Sequence, residues 1–554
     1  MQSSPNKTPP AWVHKRDGSL VPFEADKISR ALFAASERLG RPDAFLAREL
    51  TDGVIHFVAA ECDSPTPTTG QIAELVAKVV RELGQPALAQ AFAEGGREVK
   101  PDTKRQPPQS GKAELVLPFT PADSPAAVVA SCLRGYTLRT VFARDLAAAH
   151  TDGLLSLTGL EAPLELAGCV LAPPAAGAGL IEAVEEARQL AGAFLAIDGP
   201  EHILAQRAAD GPANYVRELS IGLRATGLDA VVNLNSATPP SWADDLASGP
   251  LFFEQRRAPK PERLAALADA TLEQLLRSRK GPRPLIRIDW HLGERDFVPE
   301  VEERLLRLAR RAVEGAALAF VFNRPRHPIA LAEGLDRQHP ATLLTVELPL
   351  PRLASQVAGQ SDAPALFLRK LGSLIRLALS AATQKRDFLR RHSETRPGLA
   401  RGFLLDRARL VVAPVGLDQA ATALLGLAPT DGEPWLDFAR QVIQRLRDVL
   451  DTDGQACHID ACLDGTRLLA FGCQPEERDA STVLMRDGRS QLKVAAALQS
   501  AADLGTMAVL IADEWRPGAE QLAEWLRWAW KLTDLTRLRL VRVARPPQQL
   551  ELTV

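Results

Sequence analysis

Three cations and a threonine near the start of the chain have the types and spacing to hold phosphate. Lys15 and Arg16 precede Asp17-Gly18 between extended segments, a two-residue hairpin signal that predicts both cations on a short strand just ahead of a turn. Asp26-Lys27-Ile28 then opens a segment in which Ala31, Leu32 and Ala35 repeat at helical spacing. The free backbone N–H groups of such a helix start attract phosphate oxygens, and Lys27 adds its charge there. Thr68, Thr69, Gly70 and Gln71 fit a capping box, after which Ile72, Leu75, Val76, Val79, Val80 and Leu83 make one apolar stripe. Each feature alone reads as an exposed charged turn or an ordinary cap; their concurrence within one short module points to phosphate.

The rest of the chain must position these groups and whatever else reacts. With 554 residues, 46% of them hydrophobic, there is ample core for two to four domains. Sixty-six basic and 68 acidic residues give a formal charge of −2, so no global field favours nucleic acid or an anionic membrane. Six cysteines are too sparse for a disulfide scaffold, and there is no signal peptide or long apolar run, which makes a reduced cytoplasm the expected setting. Cys457 and Cys462 lack a second cysteine pair, and the nine histidines include no His-x-x-x-His pair, so zinc is not expected.

Residues 1–10 read as a flexible tail and 11–100 as a first domain. Residues 101–112, rich in proline and charge, read as a linker, and 113–554 as a second domain. Helical and strand-like segments alternate through the latter, the pattern of an α/β architecture. Ile181, Val184, Ala187, Leu190, Phe194 and Ile197 predict one helix; residues 301–313 and 436–449 predict others. Buried strands are predicted at 230–234, 285–288, 318–322, 343–346, 410–412 and 508–511. The charged stretch 249–284 reads as an insertion or an edge helix. Trp525 and Trp528 share a face of a C-terminal helix and read as core or interface.

The N-terminal order of motifs resembles an ATP-cone, the nucleotide-sensing module of ribonucleotide reductases. That resemblance implies that Val13, Lys15, Arg16, Lys27, Ile28 and Thr69 hold the base, phosphates and ribose of ATP or dATP, with Mg2+ as a companion of the triphosphate. Arg97 stands where the family places a late basic residue, beyond Gly95-Gly96, which is expected to interrupt the helix before it. Further on, the segments 143–153, 166–169, 233–235, 345–353, 366–391 and 415–420 are similar, in the same order, to landmarks of the anaerobic, glycyl-radical ribonucleotide reductase large subunit. The fold this implies is a ten-stranded α/β barrel of two antiparallel halves.

Radical nucleotide reduction needs a thiol that can carry the radical, a reductant, and a radical source. In that family a finger loop between two barrel strands bears the radical cysteine; the corresponding stretch here, Pro328 to Asp336, has none. The glycyl-radical motif and the four-cysteine zinc site are also missing from the sequence, which implies a degenerate barrel. Cys169 falls where the family places a thiol on an early strand and is a weak catalytic candidate, read first as packing. Asn233 and Asn235 read as turn caps before ligands, and Asp289-Trp290-His291 as a solvated strand end before an acid–base pair.

The functional expectation is therefore an ATP- or dATP-binding regulatory or scaffolding protein that self-associates or joins a reductase subunit. One alternative is an active ribonucleoside-triphosphate reductase using Cys457, Cys462 or Cys473. Another is a regulator of reductase genes, which lacks the zinc ribbon and basic patch such regulators carry. Replacing Lys15 and Arg16 together by alanine is expected to abolish measurable ATP binding in calorimetry, because each lost charge-assisted hydrogen bond costs about 1.5–3 kcal/mol. Unchanged affinity in the double variant removes the phosphate-site assignment.

Overall fold

The structure is a computed structural model that describes residues 9–61, 64–97, 125–171, 179–206, 212–235, 261–277, 286–325, 327–393, 399, 404–469, 488–499, 502–504, 507–511 and 517–541. The 101–112 stretch read as a linker, and all but the end of the 1–10 tail, lie outside these residues. Packing divides the chain into two compact units, Met1–Ser156 with Arg369–Gln384, and Leu157–Leu368 with Lys385–Val554.

The first unit starts with a hairpin, β1 (Trp12–His14) and β2 (Leu20–Pro22). Four helices follow: α1 (Ala25–Arg38), α2 (Ala44–Glu61), α3 (Thr69–Glu82) and α4 (Pro86–Arg97). The hairpin differs from the two-residue turn expected. Lys15 N–H donates to the Ser19 carbonyl and Gly18 N–H to the Lys15 carbonyl, so the tight loop is the three residues Arg16 to Gly18, Lys15 pairs with Ser19 at its base, and both cations lie in the connection beyond β1. Asp17 accounts for the change, accepting from both the backbone and the hydroxyl of Ser19, while Gly18 takes the left-handed conformation at φ 82°.

The Thr68 cap of α3 is present, with Gln71 N–H donating to Oγ1 and the Thr68 N–H donating to Gln71 Oε1. Ile72, Val76, Val79 and Val80 are buried along one face, each contributing about 1.5–3 kcal/mol on full burial. Leu83, at the C-cap, is exposed and ends the stripe. Helix α4 runs through Gly95-Gly96 to Arg97, contrary to the expected interruption. Burial of Leu88, Ala89 and Ala91 outweighs the propensity cost of the glycines, and a Cβ on Gly95 would lie 2.0 Å from the Arg38 guanidinium. Helices α5 (Pro125–Thr140) and α6 (Arg144–Thr151) complete this stretch, α6 packing on α1 and α2.

The second unit, reached through the short strand β3 (Ser156–Leu157), is built on ten strands. β4 (Leu166–Leu171), β5 (Ala191–Asp198), β6 (Asp229–Asn235), β7 (Ile286–Leu292) and β8 (Leu318–Phe322) run parallel in sequence order. A buried hairpin of β9 (Ala330–Ala332) and β10 (Leu335–Asp336) follows. The second half comprises β11 (Ala341–Pro349), β12 (Arg409–Val415), β13 (Ala461–Leu463), β14 (Met507–Ile511) and β15 (Arg537–Val541). The halves meet antiparallel at β4/β11 and β8/β15. A parallel bridge between Asp464 and Leu504 joins β13 to the segment leading into β14 and closes the ring.

Helices cover the outside, and strand alternation fixes what faces them. Leu195, Ile197, Ala230, Val232, Ile288, Trp290 and Phe320 pack outward against helical residues such as Val184, Leu219, Ala268 and Leu308. Phe194 and Ile197, expected on a helix, belong to β5, because helix Gly179–Leu190 passes into the strand without a spacer and both strand faces are covered. The described part of 249–284 is helix Pro261–Arg277, whose Ala268, Leu272 and Leu275 enter the main core; it is the crossover between β6 and β7 rather than an insertion. Trp525, Trp528 and Trp530, on helix Ala519–Leu532, join the same core. Among the described residues no helix is long and apolar enough to cross a membrane.

The β9–β10 hairpin packs inward, with Leu331, Ala332 and Leu335 against Ala196 and Val231, and Ala330 against Val411, Cys462 and Leu504. At its turn Gly334 has φ 71°, and a Cβ there would come 2.0 Å from Val411 Cγ2. Gly334→Ala is expected to destabilise the second unit by about 1–3 kcal/mol through backbone strain and overpacking, measurable by denaturant unfolding. Wild-type stability in that variant contradicts the inward hairpin.

Candidate functional site

In the first unit β1 lies against the start of α3, His14 N–H donating to the Pro67 carbonyl at 3.0 Å and His14 bridging to Thr68. Val13 is buried on β1, Lys15 and Arg16 are exposed in the hairpin loop, and Thr69 is the first residue of α3. β2 leads directly into α1, whose first turn carries Lys27, exposed, and Ile28, buried. The structure thus brings Val13, Lys15, Arg16 and Thr69 to one edge through the β1–α3 bridge, with Lys27 and Ile28 at the next helix start. Arg97 is the last residue of α4, and its side chain lies outside the described residues.

Two residues of this region carried no separate signal in the sequence. Glu24 precedes α1 and holds Lys27 Nζ at 2.9 Å, with both side chains about half exposed. Such a pair contributes roughly 0–1 kcal/mol, so a phosphate can displace the carboxylate. Asp26 is bound from behind, accepting from Arg48 Nη1 at 2.6 Å. These contacts hold the helix start in place while its cation faces outward.

The interior of the second unit is polar where the hairpin turns. Along β7 the residues Arg287, Asp289 and His291 alternate with Ile288, Trp290 and Leu292, which face the helices; the polar three therefore face inward. All three are buried, which corrects the reading of Asp289-Trp290-His291 as a solvated strand end: in a closed ring the polar face of a strand is the inside. Arg287 donates to Asp289 through Nε at 2.9 Å and to Glu333, at the hairpin turn, through Nη1 at 2.6 Å. Arg537 of β15 lies 3.1 Å from Asp289 on the other side. Burial alone would raise the Glu333 carboxyl, but the charges of Arg287 and Arg537 outweigh it and hold that group well below the usual carboxylate range. Asp464, buried beyond β13, is pushed up by desolvation.

Above this cluster His291 is bracketed by two amides, Nδ1 at 2.9 Å from Asn323 Oδ1 and Nε2 at 2.9 Å from Asn233 Oδ1. Asn233 in turn donates to the Ile197 carbonyl, so it ties β5 to β7 rather than capping a turn; the Asn235 side chain lies outside the described residues. Burial lowers the imidazole to about 4, leaving it neutral at physiological pH. Asp198, in register with Asn233, is raised by burial to about 6, partly offset by Arg337 at 3.6 Å. His202 is lowered to about 4 by burial and by the Arg337 charge.

The cysteines divide by face. Cys169 belongs to the outer core with Val184 and Ala187, its Sγ directed at the Ala187 carbonyl, and burial pushes the thiol up to about 12. Cys462 faces inward against Ala330 and Val411, with its thiol also raised by burial. Cys457 ends helix Glu433–Cys457 with Sγ on the Asp453 carbonyl, and Cys473 lies outside the described residues. Among the described residues no group of three or more His, Cys, Asp or Glu is placed to hold a metal ion.

At the base of the hairpin His339 lies between Asp336 at 3.0 Å and Asp460 at 3.1 Å, while Arg409 binds Asp336 and the Gly334 carbonyl. Hydrogen bonds to the two carboxylates raise His339 from 6.5 to about 9. A group whose folded pKa is raised stabilises the fold fully below its unfolded value and loses that contribution as pH rises through the folded one. Stability from this site is therefore expected to fall between pH 6.5 and about 9, and His339→Gln to flatten that part of the stability–pH curve. Identical curves for the two proteins in denaturant melts refute the assignment.

Comparison with known proteins shows what the chain is similar to. Residues 12–94 match the family model for the ATP cone domain. No curated protein matches the chain. The anaerobic ribonucleotide reductase from Thermotoga maritima, with dATP bound in the specificity site, is similar at TM-score 0.56 and 12% identity over 75% of this chain and 84% of that one. The same enzyme in complex with dATP and CTP gives 0.55 and 12%, covering 75% and 83%. A further anaerobic ribonucleotide reductase gives 0.56 and 13%, covering 75% and 78%. The chain carries an N-terminal ATP-cone followed by a ten-stranded α/β sheet that resembles the barrel of the anaerobic ribonucleotide reductases.

Proposed function

We propose that this chain is an adenine-nucleotide sensor built on a reductase-like barrel that does no radical chemistry. The observation that carries the reading is the hairpin turn inside the barrel: the resemblance requires a thiol in this finger, and the turn instead presents Glu333, ion-paired with Arg287. A carboxylate held ionised by a guanidinium has no weak bond to hydrogen from which a thiyl-like radical could form. Cys169 cannot substitute, since it faces the helices and not the interior. In this reading Lys15, Arg16 and Lys27 take the triphosphate of ATP or dATP, with Mg2+ as its counterion. Val13 and Ile28 flank the base and Thr69 the ribose, Arg97 adds a further cation, and binding changes self-association or association with a reductase subunit.

The inward-facing Cys462 supports a second reading as a working reductase with displaced chemistry. The two separate in one set of assays. Titrating ATP and dATP while following mass in solution is expected to shift the oligomeric state; constant mass with proven binding removes the sensor output. The purified chain with an activating enzyme, under anaerobic conditions, is expected to form no deoxyribonucleotide. Cys169→Ser is expected to cost about 1–3 kcal/mol of stability and leave nucleotide affinity unchanged. Deoxyribonucleotide formation that disappears in Cys169→Ser or Cys462→Ser establishes the enzyme reading instead.

A further inference from the structure

Behind the nucleotide helix, within the first unit, a chain of hydrogen bonds and ion pairs runs into a distant part of the sequence. Asp26 immediately precedes Lys27 and Ile28. Its Oδ1 accepts from Arg48 and its Oδ2 from the Ser380 hydroxyl at 2.5 Å. Arg48 is buried and places Nε 3.4 Å from Asp52, and Asp52 Oδ2 accepts from Ser373 at 2.6 Å and Arg376 at 2.8 Å. Ser380 is oriented, because its Oγ accepts from Gln384, leaving its proton for Asp26. All the partners on this side, Ser373, Arg376 and Ser380, lie on one helix, Ala363–Arg391.

We infer that Ser373, Arg376 and Ser380 are positioning residues for the adenine nucleotide: through Asp26 and Arg48 they fix the first turn of α1, and nucleotide binding there tightens the helix segment 373–380 in return. The physical reason lies in the charge of Asp26. Held by Arg48 and Ser380, its carboxylate is neutralised and turned away from the helix start. Released, it would keep only the longer pair with Arg30 at 3.8 Å and stand one residue from Lys27 as a more mobile anion, repelling phosphate and competing for that ammonium. Coupling of this kind is reciprocal, so the nucleotide must favour the intact network as much as the network favours the nucleotide. This inference rests on the reading of the first unit as a nucleotide site.

The test uses the full chain, with ATP and dATP as the probes. Ser380→Ala and Arg376→Gln, neither of which removes a nucleotide contact, are expected to weaken ATP binding by about fivefold or more in calorimetry. In the wild type, hydrogen exchange is expected to slow on ATP addition both in the first turn of α1 and across 373–380. That arm needs no variant, so poor folding of a substitution does not blunt it. Wild-type affinity in both variants, with exchange slowed at α1 and unchanged across 373–380, overturns the inference while leaving the nucleotide site intact. Failure of the wild type to bind either nucleotide overturns the site reading itself, and this inference with it.

Discussion

Arg287 faces the inside of a closed ring of strands, and a guanidinium in that position costs several kcal/mol of solvation unless its edges are taken up. Asp289 and Glu333 take them. Because Glu333 sits at the hairpin turn, that requirement also ties the turn to β7. Arg409 repeats the arrangement at the hairpin base by binding Asp336 and the Gly334 carbonyl. The hairpin is held at both ends by arginines from opposite halves of the barrel, β7 and β12. Removing Glu333 leaves Arg287 to Asp289 alone, and removing Asp336 takes the paired carboxylate from buried Arg409, which is worse than never having had the pair.

The two units use their cations in opposite ways. In the barrel interior Arg287, Arg409 and Arg537 are committed to the buried carboxylates of Asp289 and Asp336, and breaking such a pair would leave buried charge uncompensated. At the cone the cations are exposed, and the Lys27–Glu24 pair is weak enough to be exchanged for phosphate at little cost. The strong pairs of the cone lie one layer back, at Asp26 and Asp52, where they shape the helix start without occupying it. Availability of charge, rather than its amount, distinguishes the exposed edge of the cone from the paired interior of the barrel.

Much of this was legible in the sequence, and the exceptions have physical causes. The capping box at Thr68, the α3 stripe and most of the strands follow from local spacing, whereas the ten-stranded arrangement is implied only by the resemblance of the ordered landmarks to the reductase family. The hairpin loop is one residue longer than Asp17-Gly18 predicts because Asp17 binds Ser19, a choice that dipeptide preference does not encode. Phe194 and Ile197 of β5 read as a continuation of the preceding helix because a strand covered on both faces shows no period of its own. The alternation of β7 was visible as Ile-Arg-Ile-Asp-Trp-His-Leu, but alternation says only that one face is polar; closure of the ring decides that this face is inside. Glu333 and Arg287 are 46 positions apart, and nothing local pairs them.

The helix Ala363–Arg391 is 29 residues long, roughly 44 Å of continuous rod, and its middle segment belongs to a unit whose other part ended at Ser156. The first unit is therefore discontinuous in the chain, with about 200 residues of the barrel unit interposed between its two parts. On a ribosome working at ~5–20 residues per second, the cone emerges on the order of 10–40 s before the segment that supplies Ser373, Arg376 and Ser380. During that interval the acidic groups at Asp26 and Asp52 wait without their later partners. High contact order is thus written into the first unit and not only into the barrel, and its maturation is tied to translation having passed the first half of a second fold.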